Sequence, residues 1–231
     1  MTEETKHFER YKYQDLVIIL YVAFALTSLP LGYKLIQFGP FIFSGAAFLV
    51  PLRSLMGDII AEVYGYHVAK RQIINLIIAA LFFAIISFAI IHLPSPSYWK
   101  HQAAFDFVLG RTIYTVPMAI AGFLIGAYIN VYIVSYFRWL LKGRLFFLRS
   151  IGASISGELT QYIIVLSLLY AAVLPFDKLV KLIIFDYSLQ LIFIVVVAVP
   201  ASLVTTLLKR TEKIDLSGEV INFNPFKKDA K

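Results

Sequence analysis

The sequence predicts an all-α, polytopic membrane protein with six transmembrane helices and both termini in the cytoplasm. Three observations lead there. The 231 residues are 60% hydrophobic, with a mean hydropathy of +0.79, against roughly 45–50% apolar residues in soluble domains. The apolar residues come in long runs and do not alternate with charges, which is the pattern of membrane spans. Lys and Arg are also segregated: 15 of the 21 fall in segments that share one side if six spans are threaded. Excess positive charge marks the cytoplasmic side. A count of five or seven spans would put one basic terminus on the wrong side.

Taken in order, residues 1–15 form a polar N-terminal cytoplasmic segment. A first span follows at 16–33. No small-residue cleavage site interrupts it, so it is expected to be a retained helix and not a removed signal peptide. Residues 34–40 form a short turn marked by Gly39-Pro40. The second span starts near Phe41 and runs through Pro51, where a kink is expected. Residues 65–71 form a basic loop. The third span, 73–93, is almost entirely aliphatic and Phe and should face lipid most. Pro94-Ser95-Pro96 ends it, and 97–106 is the longest external loop.

The fourth span, 107–136, carries Arg111, Thr112, Tyr114, Thr115, Pro117 and Asn130. Its Gly122-x-x-x-Gly126 lets another backbone approach closely. A second basic loop covers 138–149. The fifth span, 151–174, opens with three polar turns. The sixth, 179–208, has thirty residues where ~20 suffice to cross, so it is tilted, bent at Pro200 or extends past the lipid. The transmembrane domain is thus 16–208, and 209–231 is a polar, flexible cytoplasmic tail.

The stretch Pro51 to Arg71 concentrates charge in this apolar setting. Asp58 and Glu62 are four apart, so a helix places both on one face, where they repel unless a cation compensates. Arg53, Lys70 and Arg71 are the nearby cations. Charge inside spans is costly and marks function or a required ion pair. The six-span threading gathers Arg53, Asp58, Glu62, Glu158 and Gln161 toward the cytoplasm, and Arg111, Asp186 and Gln190 toward the outside. If the second, fourth, fifth and sixth helices surround a cavity, these groups line its two halves. Plainer roles exist for several. Glu62 can pair with Lys70 or Arg71 at the interface, Arg111 can snorkel to headgroups, and Asp186 can complement a helix N-terminus.

The sequence holds no cysteine, which excludes disulfides, thiolate metal sites and cysteine nucleophiles. No H-E-x-x-H, G-x-S-x-G or phosphate loop occurs, so no enzyme, cofactor or metal site is expected. The net charge of +7 follows from cytoplasmic loops and does not call for nucleic acid. The expected partners are the lipid bilayer and a small-molecule substrate, with a homo-oligomer left open.

The segment GDIIAEVYGYHVAKRQI, residues 57–73, resembles the signature of the queuosine-precursor transporter family, also called the vitamin uptake transporter family. The Arg111 helix, SISGEL at 154–159, and FDY before a proline-containing last helix agree in order. The resemblance implies six helices in the bacterial inner membrane. It also implies import of a 7-deazaguanine base, such as the 7-cyano or 7-aminomethyl compound or queuine, for tRNA modification. Glu158 is then the preferred acceptor for the N–H edge of the base, with Asp186 second. Arg111 would hold a ring carbonyl or fix Asp186, and Phe105, Tyr114 or Tyr162 would stack on the ring. Gln161 and Gln190 depart from the family, which often has Asp and Lys there. The candidate binding set is Glu158, Asp186, Arg111, Gln161, Gln190, Tyr114 and Asp58. A substrate-binding membrane subunit of an energy-coupling-factor transporter is the alternative.

Overall fold

The structure is a computed structural model that describes residues 11–140 and 146–212. Six long helices account for most of them. These are α1 (Gln14–Leu31), α2 (Val50–Tyr64), α3 (Tyr66–Ile91), α5 (Thr112–Leu140), α6 (Phe146–Tyr170) and α7 (Phe176–Glu212), with a single turn, α4 (Gln102–Phe105), before α5. Among the described residues, three helical stretches are long and apolar enough to cross a membrane: Gln14–Leu31, His67–Ile91 and Gln102–Ile129. A shorter apolar stretch covers Ile155–Tyr170. The buried share is 6% in the α3 stretch against 28% in the Gln102–Ile129 stretch. Ile78 and Phe82 of α3 are 60% and 64% exposed. The most aliphatic helix thus packs least, as its uniform composition leads one to expect.

The region after α1 departs from the all-helical expectation. The second span does not begin at Phe41. Instead Leu35–Phe38 (β1) and Phe41–Ser44 (β2) form an antiparallel hairpin in which Phe38 faces Phe41. Two residues, Gly39 and Pro40, make the turn. Gly39 has φ 58°, the positive value that the first position of tight hairpin turns favours in Gly. β-branched and aromatic side chains flank it and suit paired strands. A 3-10 turn, Gly45–Phe48, links β2 to α2.

Pro51 stands in the first turn of α2 and not in mid-span. Its missing N–H is unpaired there in any helix, so it starts the helix without kinking it. At 15 residues α2 is only about 22 Å long at 1.5 Å per residue, short of a ~30 Å hydrocarbon core. The basic loop expected at 65–71 shrinks to Gly65, whose φ of 86° turns the chain at once from α2 into α3. Lys70 and Arg71 therefore lie in the first turns of α3.

Two apolar clusters hold the ends of the bundle. One joins Val17 and Tyr21 of α1 to Ile59, Ile60, Val63 and Tyr64 of α2. The other joins Leu166 and Tyr170 of α6 to Leu179 and Leu182 of α7, with Leu35 and Ile42 of the hairpin packed on it. α7 continues to Glu212, past the expected end at 208. There its carboxylate accepts the backbone N–H groups of Lys12 (2.8 Å) and Tyr13 (2.6 Å). The end of α7 and the start of α1 are thus tied together across 200 residues. The remaining tail, the first ten residues and residues 141–145 of the second basic loop lie outside the described residues.

Candidate functional site

A cavity of about 180 Å3 opens between α1, α2, α3, α5 and α6. Helical spacing creates it. Tyr21, Ala25, Ser28 and Gly32 recur three or four apart and give α1 one small, partly polar face. Thr115, Ala119 and Phe123 do the same for α5, and Tyr162, Val165 and Leu169 for α6. The α5–α6 wall closes through glycine: a Cβ on Gly122 would fall 2.8 Å from Val165 Cγ2, and one on Gly126 would fall 2.6 Å from the Gly157 carbonyl. Gly122-x-x-x-Gly126 is therefore a packing seam.

One end is sealed by the hairpin. Asp186 of α7 is fully buried and accepts two hydrogen bonds, from the Ser44 backbone N–H (2.9 Å) and the Ser44 hydroxyl (2.6 Å). The same hydroxyl oxygen accepts from the Ala47 N–H at 3.2 Å, capping the 3-10 turn. Phe41 and Phe43 stack against Phe185 at 5.2 and 6.2 Å. The Tyr170 hydroxyl donates to the Gly32 carbonyl, and the hydroxyls of Tyr33 and Thr115 share a hydrogen bond. Both Ser44 and Asp186 face the cavity, yet the carboxylate oxygens already have protein partners.

Arg53, one turn into α2, is the one cation among the lining residues. Tyr21 of α1 and Tyr162 of α6 lie within its electrostatic range. Gly57 makes room for Tyr21: a Cβ there would meet the ring at 3.4 Å. Beside Tyr162 runs a buried polar chain. Gln190 is 1% exposed, accepts from the Tyr162 hydroxyl at 3.4 Å and lies near the Glu158 carboxylate. Tyr187 stacks on Tyr162 at 5.7 Å and donates to the Ile155 carbonyl at 2.8 Å.

The seven residues singled out from the sequence thus separate. Gln161 and Asp186 line the cavity. Glu158 and Gln190 lie near each other and outside the cavity lining. Asp58 is exposed on α2, within electrostatic range of Glu158. Arg111 follows a π-helical turn at Asp106–Gly110 and lies over the Phe107 ring at 4.4 Å. Its expected role of fixing Asp186 falls to Ser44. Tyr114 is 64% exposed and points away from the cavity lining. Glu62 pairs with Lys209 and not with Lys70 or Arg71. Among the described residues, no three His, Asp or Glu side chains gather as a metal site would require.

Sequence reasoning placed Arg53 among the groups around a cavity and named Thr115 as a polar residue of the fourth span, but left both out of the binding set, and it omitted Tyr21, Ser28 and Ser44. The signal for α1 was present in the spacing of its small and polar residues. Ser44 had none, because the hairpin was unforeseen.

Of the elements that build this cavity, α2, α3, α5 and α6 lie within a family pattern, and α1 precedes it. Residues 44–205 match the family described as "Putative vitamin uptake transporter". The chain belongs to this family. That makes it a member of a transporter family and not of an enzyme family, and its apolar helices agree with a multi-pass membrane protein. No curated protein and no solved structure matches the chain.

Proposed function

We propose that this chain imports a queuosine precursor, a 7-deazaguanine base, across the bacterial inner membrane for tRNA modification. Six spans cross the bilayer, both termini lie in the cytoplasm, and residues 16–208 form the transporting unit. The tie between Glu212 and the start of α1 supports a shared side for the two ends. So does the clustering of Lys and Arg.

The observation that carries the reading is the cavity. An apolar cavity of about 150 Å3 takes a benzene-sized molecule, so 180 Å3 suits one small flat ring system. Tyrosine rings on two walls, Tyr21 and Tyr162, offer stacking, worth roughly 1–3 kcal/mol per base elsewhere. Gln161 and Arg53 offer directional hydrogen bonds to ring edges. The signature segment 57–73 supplies Gly57, which shapes the Tyr21 wall, and the Gly65 turn. Entry from outside requires the hairpin to part from α7, and the Asp186–Ser44 bonds hold it shut in this state.

Restored modification in cells blocked in precursor synthesis tests the reading. Expression of the chain should return queuosine to tRNA when a 7-deazaguanine base is supplied at low concentration. No return with any of the 7-cyano, 7-aminomethyl or queuine bases, despite normal membrane expression, would contradict it. Co-purification with an ATPase module would instead make the chain a substrate-binding subunit.

A further inference from the structure

We infer that Arg53 reads the 6-oxo edge of the bound base and is the residue that sets specificity in the cavity. This rests on the transporter reading above. Arg53 is half-buried and lines the cavity. Among the described residues its guanidinium makes no ion pair, and none of the side-chain hydrogen bonds of the site reaches it. A guanidinium carries five donors and no acceptor. Taking those donors out of water without acceptors is costly, so a ligand that displaces water from the cavity must bring acceptors to them.

The surroundings narrow what that something is. Glu158 lies within electrostatic range of Arg53 and offsets its charge from outside the cavity lining. The site therefore has no Coulombic need for an anion, and what Arg53 adds is direction. Asp186, the one carboxylate on the wall, has its oxygens engaged by Ser44 and does not swing toward Arg53. Tyr21 and Tyr162 line the same cavity as Arg53, so a flat ring stacked on either can turn its edge to the fork. A neutral ring carbonyl meets these conditions: Arg reads guanine through O6 and N7 elsewhere, and in a 7-deazaguanine, where position 7 is carbon, O6 is the ring acceptor left on that edge. A 6-amino ring presents two N–H donors at the same place. It would leave Arg53 unpaired and set donor against donor, and buried unpaired groups discriminate more sharply than missing bulk.

The test measures binding to the purified full-length protein in detergent, with two probes that differ at position 6 and, with it, at N1, which carries a proton in the oxo base and none in the amino base. One is 7-cyano-7-deazaguanine, and the other is 7-cyano-7-deaza-2,6-diaminopurine. Wild type should bind the oxo base at least about 100-fold more tightly. Arg53→Ala should lose about 10- to 100-fold in affinity for the oxo base and little for the amino base, so the preference collapses. Arg53→Lys should recover part of it. The melting temperature without ligand should be unchanged or higher in both variants, because a costly unpaired charge has been removed or relaxed. Wild-type affinity for the oxo base in Arg53→Ala would overturn the role of Arg53 and leave the transported substrate as proposed. Binding of neither base by a well-folded wild type would overturn both. Equal loss for both bases in Arg53→Ala would reduce Arg53 to a shape-keeping role and overturn its part in specificity.

Discussion

Two charged side chains face the same cavity and are treated in opposite ways. Asp186 is fully buried, and the protein answers both its oxygens through Ser44. Arg53 is half-buried, and no side chain on the wall answers its donors. The first arrangement stabilises the fold: it locks the hairpin onto α7 and caps the turn leading into α2. The second leaves a polar group waiting. Intramembrane charge by itself does not distinguish an anchor of structure from an anchor of ligand. What distinguishes them is whether the protein has already satisfied the charge.

Substitutions that remove each charge should widen the contrast. Asp186→Ala leaves the Ser44 N–H and hydroxyl without acceptors, at about 1–3 kcal/mol for a stranded buried group. It should give the largest fall in melting temperature, whereas Arg53→Ala should give none. A stable Asp186→Ala protein would break the comparison. Gly45→Ala tests the same latch from the backbone. Its Cβ would collide with the Leu31 carbonyl oxygen, a backbone atom that cannot step aside cheaply. A loss of about 1–3 kcal/mol is expected, in the range of overpacked cores.

Farther from the cavity the effects should shrink. Glu212→Ala removes the acceptor for the Lys12 and Tyr13 N–H groups and should cost about 1 kcal/mol, as loss of a helix cap does. Glu62→Gln breaks only the exposed pair with Lys209 and should cost about 0–1 kcal/mol. Thermal melting of the five variants in one detergent checks the order. A Glu62→Gln protein as unstable as Asp186→Ala would show that burial is not what separates these charges.

Much of the helical frame was legible because long apolar runs leave the backbone only one way to satisfy itself in lipid. The bare surface of α3 and the packing seam at Gly122 and Gly126 followed from composition and spacing. The hairpin was not legible. Phe41 to Phe48 is as apolar as a span, and hydropathy does not record that Gly39-Pro40 favours a tight reversal over a helical start. The error moved the start of α2 and hid Ser44. That in turn made Asp186 look like a free acid and Arg111 its partner. Of the groups the sequence placed around a cavity, Arg53, Gln161 and Asp186 line the one observed, and Glu158, four residues before Tyr162 on α6, does not.

The central claim is that the transported base occupies the cavity between α1, α2, α3, α5 and α6. The absence of native cysteine permits the most direct measurement: protection of a single introduced thiol. Ala119→Cys places it on the cavity wall, and Leu124→Cys, at a position 56% exposed, serves as control. Bound 7-cyano-7-deazaguanine should slow modification of Ala119→Cys by a small thiol reagent, with half-protection at the dissociation constant, and leave Leu124→Cys unaffected. Unslowed modification of Ala119→Cys under saturating, independently verified ligand would place the base elsewhere and contradict the account.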